Sequence, residues 1–293
     1  MRVLVTGGTG FIGAALCHAL TGAGHAVTVV TRDPAHIAAA AIGWERVSAA
    51  VRETDALVNL AGEPLGSRRW SVRQKELIRQ SRVLATRTLV DAIAGAEPRP
   101  RVLVNASAVG YYGPRDDEPL DESAGPGAGF LADVCRAWEQ EALKAEDLGL
   151  RVVRLRLGVV LAADGGALAR MLPPFRAFVG GPIGSGRQWM SWIHRDDVTG
   201  IVVDALANDG YHGPVNATAP QPVTNRDFAS MLGRTLARPA WLPTPAFALR
   251  LALGEMAELL LSGQRVLPGI AERLAYQWRY PELSGALRAS VRR

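Results

Sequence analysis

The stretch Arg2-Val3-Leu4-Val5-Thr6-Gly7-Gly8-Thr9-Gly10-Phe11-Ile12-Gly13 decides the fold. Its first five residues form a short, almost wholly apolar run of strand character. Gly7, Gly10 and Gly13 follow at three-residue spacing, and an amphipathic helical pattern opens over residues 12–22. Strand, glycine turn and helix in immediate succession make a tight backbone turn that can approach a ligand closely. Working outward, further Val- and Leu-rich runs lie at residues 26–31, 56–60, 101–106 and 151–158. Helical patterns stand between them at 72–94 and 131–148. These runs alternate little between apolar and polar, which suits parallel strands covered by helices on both faces. About two dozen residues separate the second run from the third, so the helix and any strand near Trp44 must be short.

The glycine turn in this setting predicts a Rossmann-type dinucleotide site. The backbone of Gly7, Gly10 and Gly13 approaches a pyrophosphate, the helix N-terminus receives its charge, and Thr9, Phe11 and Ile12 line or seal the turn. The second strand ends in Val30-Thr31-Arg32-Asp33. A hydroxyl and a guanidinium at Thr31 and Arg32, where an NAD site places a carboxylate, suit a 2′-phosphate and predict NADP. Asp33 becomes the ribose ligand instead if the strand runs one residue further. Leu60, Ala61 and Gly62, after the next strand, are small enough to let an adenosine lie against the backbone.

The chain has 293 residues and a formal net charge of +5, enough for one large domain with a smaller appendage. Its basic residues are almost all Arg and interleave with Asp and Glu, which argues against a nucleic-acid surface. The apolar runs fall short of the roughly 20 residues that span a bilayer, and no amphipathic anchor is evident. An immediate strand at Met1 leaves no room for a signal peptide, so a cytoplasmic setting is expected. Cys17 and Cys135 lack metal or redox spacing and read as core residues; no metal is expected. After about Gly180 the regularity breaks, with helical patterns at 225–236, 245–261 and 269–278. The expected organisation is an NADP-binding domain over residues 1–218 and a smaller, mostly helical unit over 219–290.

With the first motif, Asn59-Leu60-Ala61-Gly62 and Trp192-Ile193-His194-Arg195-Asp196-Asp197-Val198 in hand, residues 1–220 resemble the NAD-dependent epimerase/dehydratase group of extended short-chain dehydrogenases. Asn225-Arg226-Asp227-Phe228 and Gly263-Gln264-Arg265-Val266-Leu267-Pro268 resemble an atypical subgroup that adds a C-terminal domain of unknown function. The resemblance implies a Ser after the fifth strand and a Tyr-x-x-x-Lys on the next helix. The phenolate exchanges the substrate proton during hydride transfer, and the Lys supports it. Ser107 matches the Ser. The Tyr and Lys places hold Leu131 and Cys135 or their neighbours, so the usual pair is missing. Tyr111 and Tyr112 leave the same strand end as Ser107 and are the candidate proton partners, with packing as the competing role. Arg82 stands where many extended members carry an Asn beside the active site, and contacts either cofactor or a substrate anion, or serves the surface. Glu63 is a further acid/base candidate. The resemblance also implies a main-chain contact from Val160 to the nicotinamide. The Gly180–Gly186 loop covers substrate in relatives, or is an ordinary connection. His194 and Asp196 brace that loop.

Two functions remain open at this point. One is an NADP-dependent oxidoreductase or epimerase acting on a small polar substrate. The other is a non-catalytic NADP(H)-binding sensor or scaffold, favoured by the missing Tyr/Lys pair. Helices 72–94 and 131–148 could build a homodimer bundle or the monomer core equally well.

Overall fold

The computed structural model describes residues 1–37 and 40–291. In chain order, β1 (Arg2–Thr6), α1 (Phe11–Gly22), β2 (Ala26–Val30), β3 (Ala41–Ile42), α2 (Val47–Val51), β4 (Ala56–Asn59), α3 (Val72–Ala94) and β5 (Val102–Ala108) build the first half. β6 (Pro119–Leu120), α4 (Phe130–Leu143), β7 (Arg151–Leu157), β8 (Val159–Ala162), α5 (Gly166–Arg176), β9 (Trp189–Met190), β10 (Trp192–His194), α6 (Arg195–Ala207) and β11 (Gly213–Ala217) follow. The chain ends through β12 (Val223–Thr224), α7 (Asn225–Leu236), α8 (Ala246–Leu253), α9 (Glu258–Leu261), β13 (Arg265–Val266), α10 (Gly269–Arg273) and α11 (Leu283–Val291).

Seven strands form one parallel sheet in the order β11-β7-β5-β4-β1-β2-β3. Strand side chains alternate between faces. Val3, Val5, Val58, Val104 and Leu155 therefore share one buried layer with Leu16 of α1 and Ile201 of α6. Leu4, Leu57, Leu103 and Val152 share the other with Leu89 of α3 and Ala142 of α4. The doubly wound α/β fold expected from the sequence is the fold observed. Crossover space between β2 and β4 is small, as the residue count required: β3 has two residues and α2 has five.

Two helix starts follow from their caps. Ser71 accepts a hydrogen bond from Gln74 N–H at the head of α3, and Thr224 accepts one from Asp227 N–H at the head of α7. The expected long helix over 245–261 is broken at Gly254, whose φ of +61° ends α8. Similarly, α10 stops at Arg273 rather than running to Trp278.

A separate core joins Leu161, Leu168, Leu172, Phe175 and Trp192 to Phe228, Leu232, Leu283 and Leu287. Residues 161–192 thus pack with the C-terminal helices although they precede residue 219. Gly180–Gly186 is pinned to this unit: Ile183 N–H donates to Asn225 Oδ1 at 2.7 Å and Gly184 N–H to Thr244 O at 2.9 Å. Among the described residues no helix is long and apolar enough to cross a membrane.

Candidate functional site

The site lies along the C-terminal ends of β1, β4, β5 and β7. Gly7 has φ +68°, and a Cβ there would stand 2.6 Å from Leu60 O. A Cβ on Gly13 would stand 2.1 Å from Gly7 O. Only glycine lets β1 turn into α1 while the Leu60-Ala61 backbone presses against the turn. Gly10 caps α1 without a side-chain hydrogen bond, and the first turn of the helix carries no acidic residue. The first N–H groups of α1 therefore face outward beside exposed Thr9, an arrangement suited to a pyrophosphate. Phe11 seals the turn from one side: Gly165 and Gly166 press on its ring, and the Arg195 guanidinium lies 5.1 Å from its centre.

β2 ends at Val30, one residue before the expected Thr31. Thr31 and Arg32 thus stand beyond the strand, with Arg32 exposed. The Asp33 carboxylate is 2.8 Å from His36 Nδ1. On the far side, Val160 lies in β8, a strand separate from β7 after Gly158, and pairs with Ile193 of β10. Its carbonyl adjoins Gly166, which itself lies on Phe11. The residues expected around the dinucleotide, scattered from 7 to 160, therefore gather at one end of the sheet.

Beneath this edge runs a row of buried polar side chains on the α3/α4 face. Thr6 donates to Asn59 Oδ1 at 2.6 Å, and Asn59 Nδ2 donates to Asn105 Oδ1 at 2.6 Å and to Thr86 Oγ1 at 2.9 Å. One step along, Ser107, Arg156 and Asn216 stand in register on β5, β7 and β11. Ser107 is 1% exposed, and its hydroxyl donates to Glu139 Oε1 at 2.7 Å. Arg156 grips the same carboxylate bidentately, Nε to Oε1 at 2.8 Å and Nη2 to Oε2 at 2.9 Å. Its remaining Nη1 donates to the Tyr112 hydroxyl at 2.9 Å. Burial opposes the Arg156 charge, yet the bonds to Glu139 outweigh it and hold the guanidinium protonated.

This arrangement corrects two expectations. Tyr112 is 0% exposed, its hydroxyl donates to Asn216 Oδ1 at 2.7 Å, and burial pushes its pKa up to about 12. It is a core tyrosine that bridges β7 and β11, with no path to a substrate proton. Ser107 has a single O–H, spent on Glu139, so toward a ligand its oxygen can only accept; polarising a carbonyl by donation is not available to it here. Tyr111 is half-buried, and its ring lies 3.5 Å from the Arg156 guanidinium carbon. The fold brings this cation to Tyr111 from 45 positions away along the chain.

Glu139 and Arg156 are the residues that sequence reasoning missed. A signal existed: β7 reads Arg151-Val-Val-Arg154-Leu-Arg156-Leu, three arginines in a strand buried on both faces. Buried charges require partners. Cys135 sits between Ser107 and Arg82 on α4, and burial lifts its thiol to about 11. Arg82 is half-buried with its guanidinium against Gly62 and 5.2 Å from the Trp138 ring centre. Nη1 of Arg82 donates to Glu63 O at 3.1 Å and Ile78 O at 2.9 Å. The Glu63 carboxylate receives Ser67 Oγ at 3.2 Å and stays beside the turn. His194 caps α6 by accepting from Asp196 N–H at 3.1 Å and packs on Tyr280. Asp197 receives Arg279 and Tyr280 N–H groups at 2.6 and 3.0 Å, so this motif braces the C-terminal segment.

The model of the NAD dependent epimerase/dehydratase family matches residues 3–217, and that of a domain of unknown function, DUF1731, matches residues 244–290. A chloroplastic SDR39U1 homologue of Arabidopsis thaliana, named an epimerase family protein, is 46% identical over 99% of this chain and 86% of its own. A crystal structure of human epimerase family protein SDR39U1 with NADPH superposes with a TM-score of 0.93 at 38% identity, covering 100% of this chain and 99% of that one. The nucleoside-diphosphate sugar epimerase of Corynebacterium glutamicum reaches 0.81 at 35% identity, over 99% of this chain and 58% of its own. By sequence match and by fold, the chain belongs to the NAD dependent epimerase/dehydratase family.

Proposed function

We propose that this protein binds NADP(H) across the glycine turn and transfers hydride between the nicotinamide and a small polar substrate. The observation that carries the reading is the close approach of Leu60 to Gly7 beside the open N-terminus of α1, with Arg32 exposed beyond β2, on a chain whose human relative was crystallised with NADPH. In this reading Gly7, Gly10, Phe11, Ile12 and Gly13 hold the pyrophosphate, Thr31 and Arg32 the 2′-phosphate, and Leu60, Ala61 and Gly62 the adenosine side. The Val160 main chain faces the nicotinamide end. The cofactor supplies the hydride chemistry; the chain supplies binding, orientation and management of one proton.

Tyr111 is the proton partner in this proposal. It is half-exposed at the end of β5, and Arg156 lies against its ring. Glu139 and Arg156 are positioning residues, since both act through Ser107 and Tyr111 rather than by touching substrate. A fold shared by many reactions cannot name the substrate. One observation favours the alternative of a non-catalytic NADP(H) sensor: the Ser107 donor and the whole Tyr112 hydroxyl are consumed inside the protein.

Titration with NADPH and NADH, read by nicotinamide fluorescence, tests the cofactor. NADPH is expected to bind more tightly than NADH, and Arg32→Ala to remove the preference. Binding of neither nucleotide, or equal binding of both with no effect at Arg32, overturns it. Turnover on any carbonyl or alcohol substrate that falls in Tyr111→Phe supports the enzyme reading. Turnover intact in that variant removes Tyr111 from the chemistry.

A further inference from the structure

We infer that Arg82 is the docking point for a carboxylate of the substrate, so that the substrate is a small carboxylic acid carrying the carbonyl or hydroxyl that reacts. The inference rests on the proposed cofactor reading, because Arg82 lies against Gly62 of that site, on the side where Cys135 and Ser107 stand.

Three cations lie under the strand ends on the α3/α4 face, and their commitments differ. Arg156 is saturated, with Glu139 on its Nε/Nη2 edge and Tyr112 on Nη1. Arg154 shares the same Glu139 at 3.4 Å. Thus one carboxylate serves two guanidiniums. Arg82 is the third, and among the described residues no carboxylate lies within ion-pair distance of it; Glu63 acts on it only through space. Its acceptors are two main-chain carbonyls, both on Nη1. The Nε/Nη2 edge is left over, and neither atom is sealed from solvent without a partner.

Two other arginines of this protein hold a carboxylate with that edge. Arg156 grips Glu139 with it, and Arg87 grips Glu141 with it, both donors at 3.1 Å. A planar guanidinium edge matches a carboxylate with two parallel bonds. Trp138 behind the guanidinium and the two carbonyls on Nη1 fix the plane, so little freedom is lost on binding. Burial works against the lone charge, which a bound anion would relieve.

Position separates substrate from cofactor. The cofactor's phosphates have their own partners at the α1 N-terminus and Arg32, at β1 and β2. Arg82 lies past β4 toward β5, against Gly62 and beside Cys135, which neighbours Ser107.

The test uses the full chain, with and without NADPH, titrated with oxamate, malonate and succinate and with their neutral amides. Binding is followed by nicotinamide fluorescence and by calorimetry. At least one carboxylate is expected to bind, its amide to bind far more weakly, and Arg82→Gln to weaken the carboxylate by about tenfold or more. Arg82→Lys, which keeps the charge and loses the paired edge, should retain part of the affinity. NADPH affinity should stay within about twofold in both variants. Amides binding as well as the acids, no carboxylate binding at all, or a loss of NADPH affinity in Arg82→Gln comparable to that in Arg32→Ala overturns the inference. If NADPH fails to bind while a carboxylate binds the apoprotein through Arg82, the cofactor reading falls and the anion site stands.

Discussion

Removing the Glu139 carboxylate is the sharpest probe of the buried network. In Glu139→Ala the Arg156 guanidinium, 2% exposed, loses both of its charge-assisted bonds, Ser107 loses its acceptor, and Arg154 loses its ion pair. Breaking a buried pair by deleting one partner costs roughly 3–5 kcal/mol, because the remaining charge is stranded in a low-dielectric interior. At roughly 2–4 °C per kcal/mol for domains of somewhat smaller size, this corresponds to a fall in Tm of about 6–20 °C. Thermal unfolding followed by circular dichroism measures it, and a urea titration checks that one transition is being followed. Glu139→Gln should lose less, since an amide still offers Ser107 and Arg156 an oxygen. The double variant Glu139→Leu with Arg156→Met should recover much of the loss, because an apolar pair strands no charge. A Tm change under about 2 °C in Glu139→Ala, or strictly additive losses in the double variant, would refute the argument.

Tyr112→Phe leaves Asn216 Oδ1 and Arg156 Nη1 without their buried partner and should cost about 1–3 kcal/mol by urea unfolding, with NADPH affinity unchanged. Tyr111→Phe should do the converse: unaltered stability and, on a turned-over substrate, a kcat lower by about 10²- to 10⁴-fold. Gly13→Ala should abolish NADPH binding in the fluorescence titration, because its Cβ would overlap Gly7 O at 2.1 Å. For pH, the hydrogen bonds from Arg87, followed by those from Lys144, hold the Glu141 carboxyl below its usual value. A depressed carboxyl contributes stability above the unfolded value of about 4.3, and that contribution is lost as pH falls through the folded value. The Tm difference between wild type and Arg87→Met should therefore be present at pH 7 and shrink toward acid; a difference that persists unchanged at pH 3 contradicts this.

How far the sequence could be read depended on the range of the interactions. The strand at 2–6 and the helices at 72–94 and 225–236 were legible to the residue, since a glycine turn, Ser71 and Thr224 set their limits locally. The 245–261 pattern has helical spacing throughout, but spacing does not register that Gly254 enters a positive φ. The glycine turn and strand ends at this edge were readable because they are backbone-defined: glycines, strand ends and a helix start. The chemistry side was not, because Glu139, Arg156, Tyr112 and Asn216 meet only through strand register across β5, β7 and β11. Tyr111 and Tyr112 look alike as sequence, yet a one-residue step in the turn after β5 sends one into the core and leaves the other at its border.

The same register explains why losing a titratable pair on α4 need not leave the site without charge. With Phe130-Leu131 and Val134-Cys135 near the places that the resemblance gives to the usual Tyr and Lys, α4 brings no Lys to the strand ends. Positive charge enters instead from α3 through Arg82 and from β7 through Arg154 and Arg156, the last two sharing the carboxylate of Glu139. A surplus of buried cations is unstable unless something neutralises it when the site works. Glu139 settles Arg156 permanently, which makes that pair a scaffold. A charge left open can select a ligand, and Arg82 carries one, 5.2 Å from the Trp138 ring centre with its Nε/Nη2 edge unspent. A site of this kind discriminates by leaving its own cation unpaired when the wrong, neutral ligand enters, so selectivity for acids over amides is the outcome that the Arg82 proposal predicts.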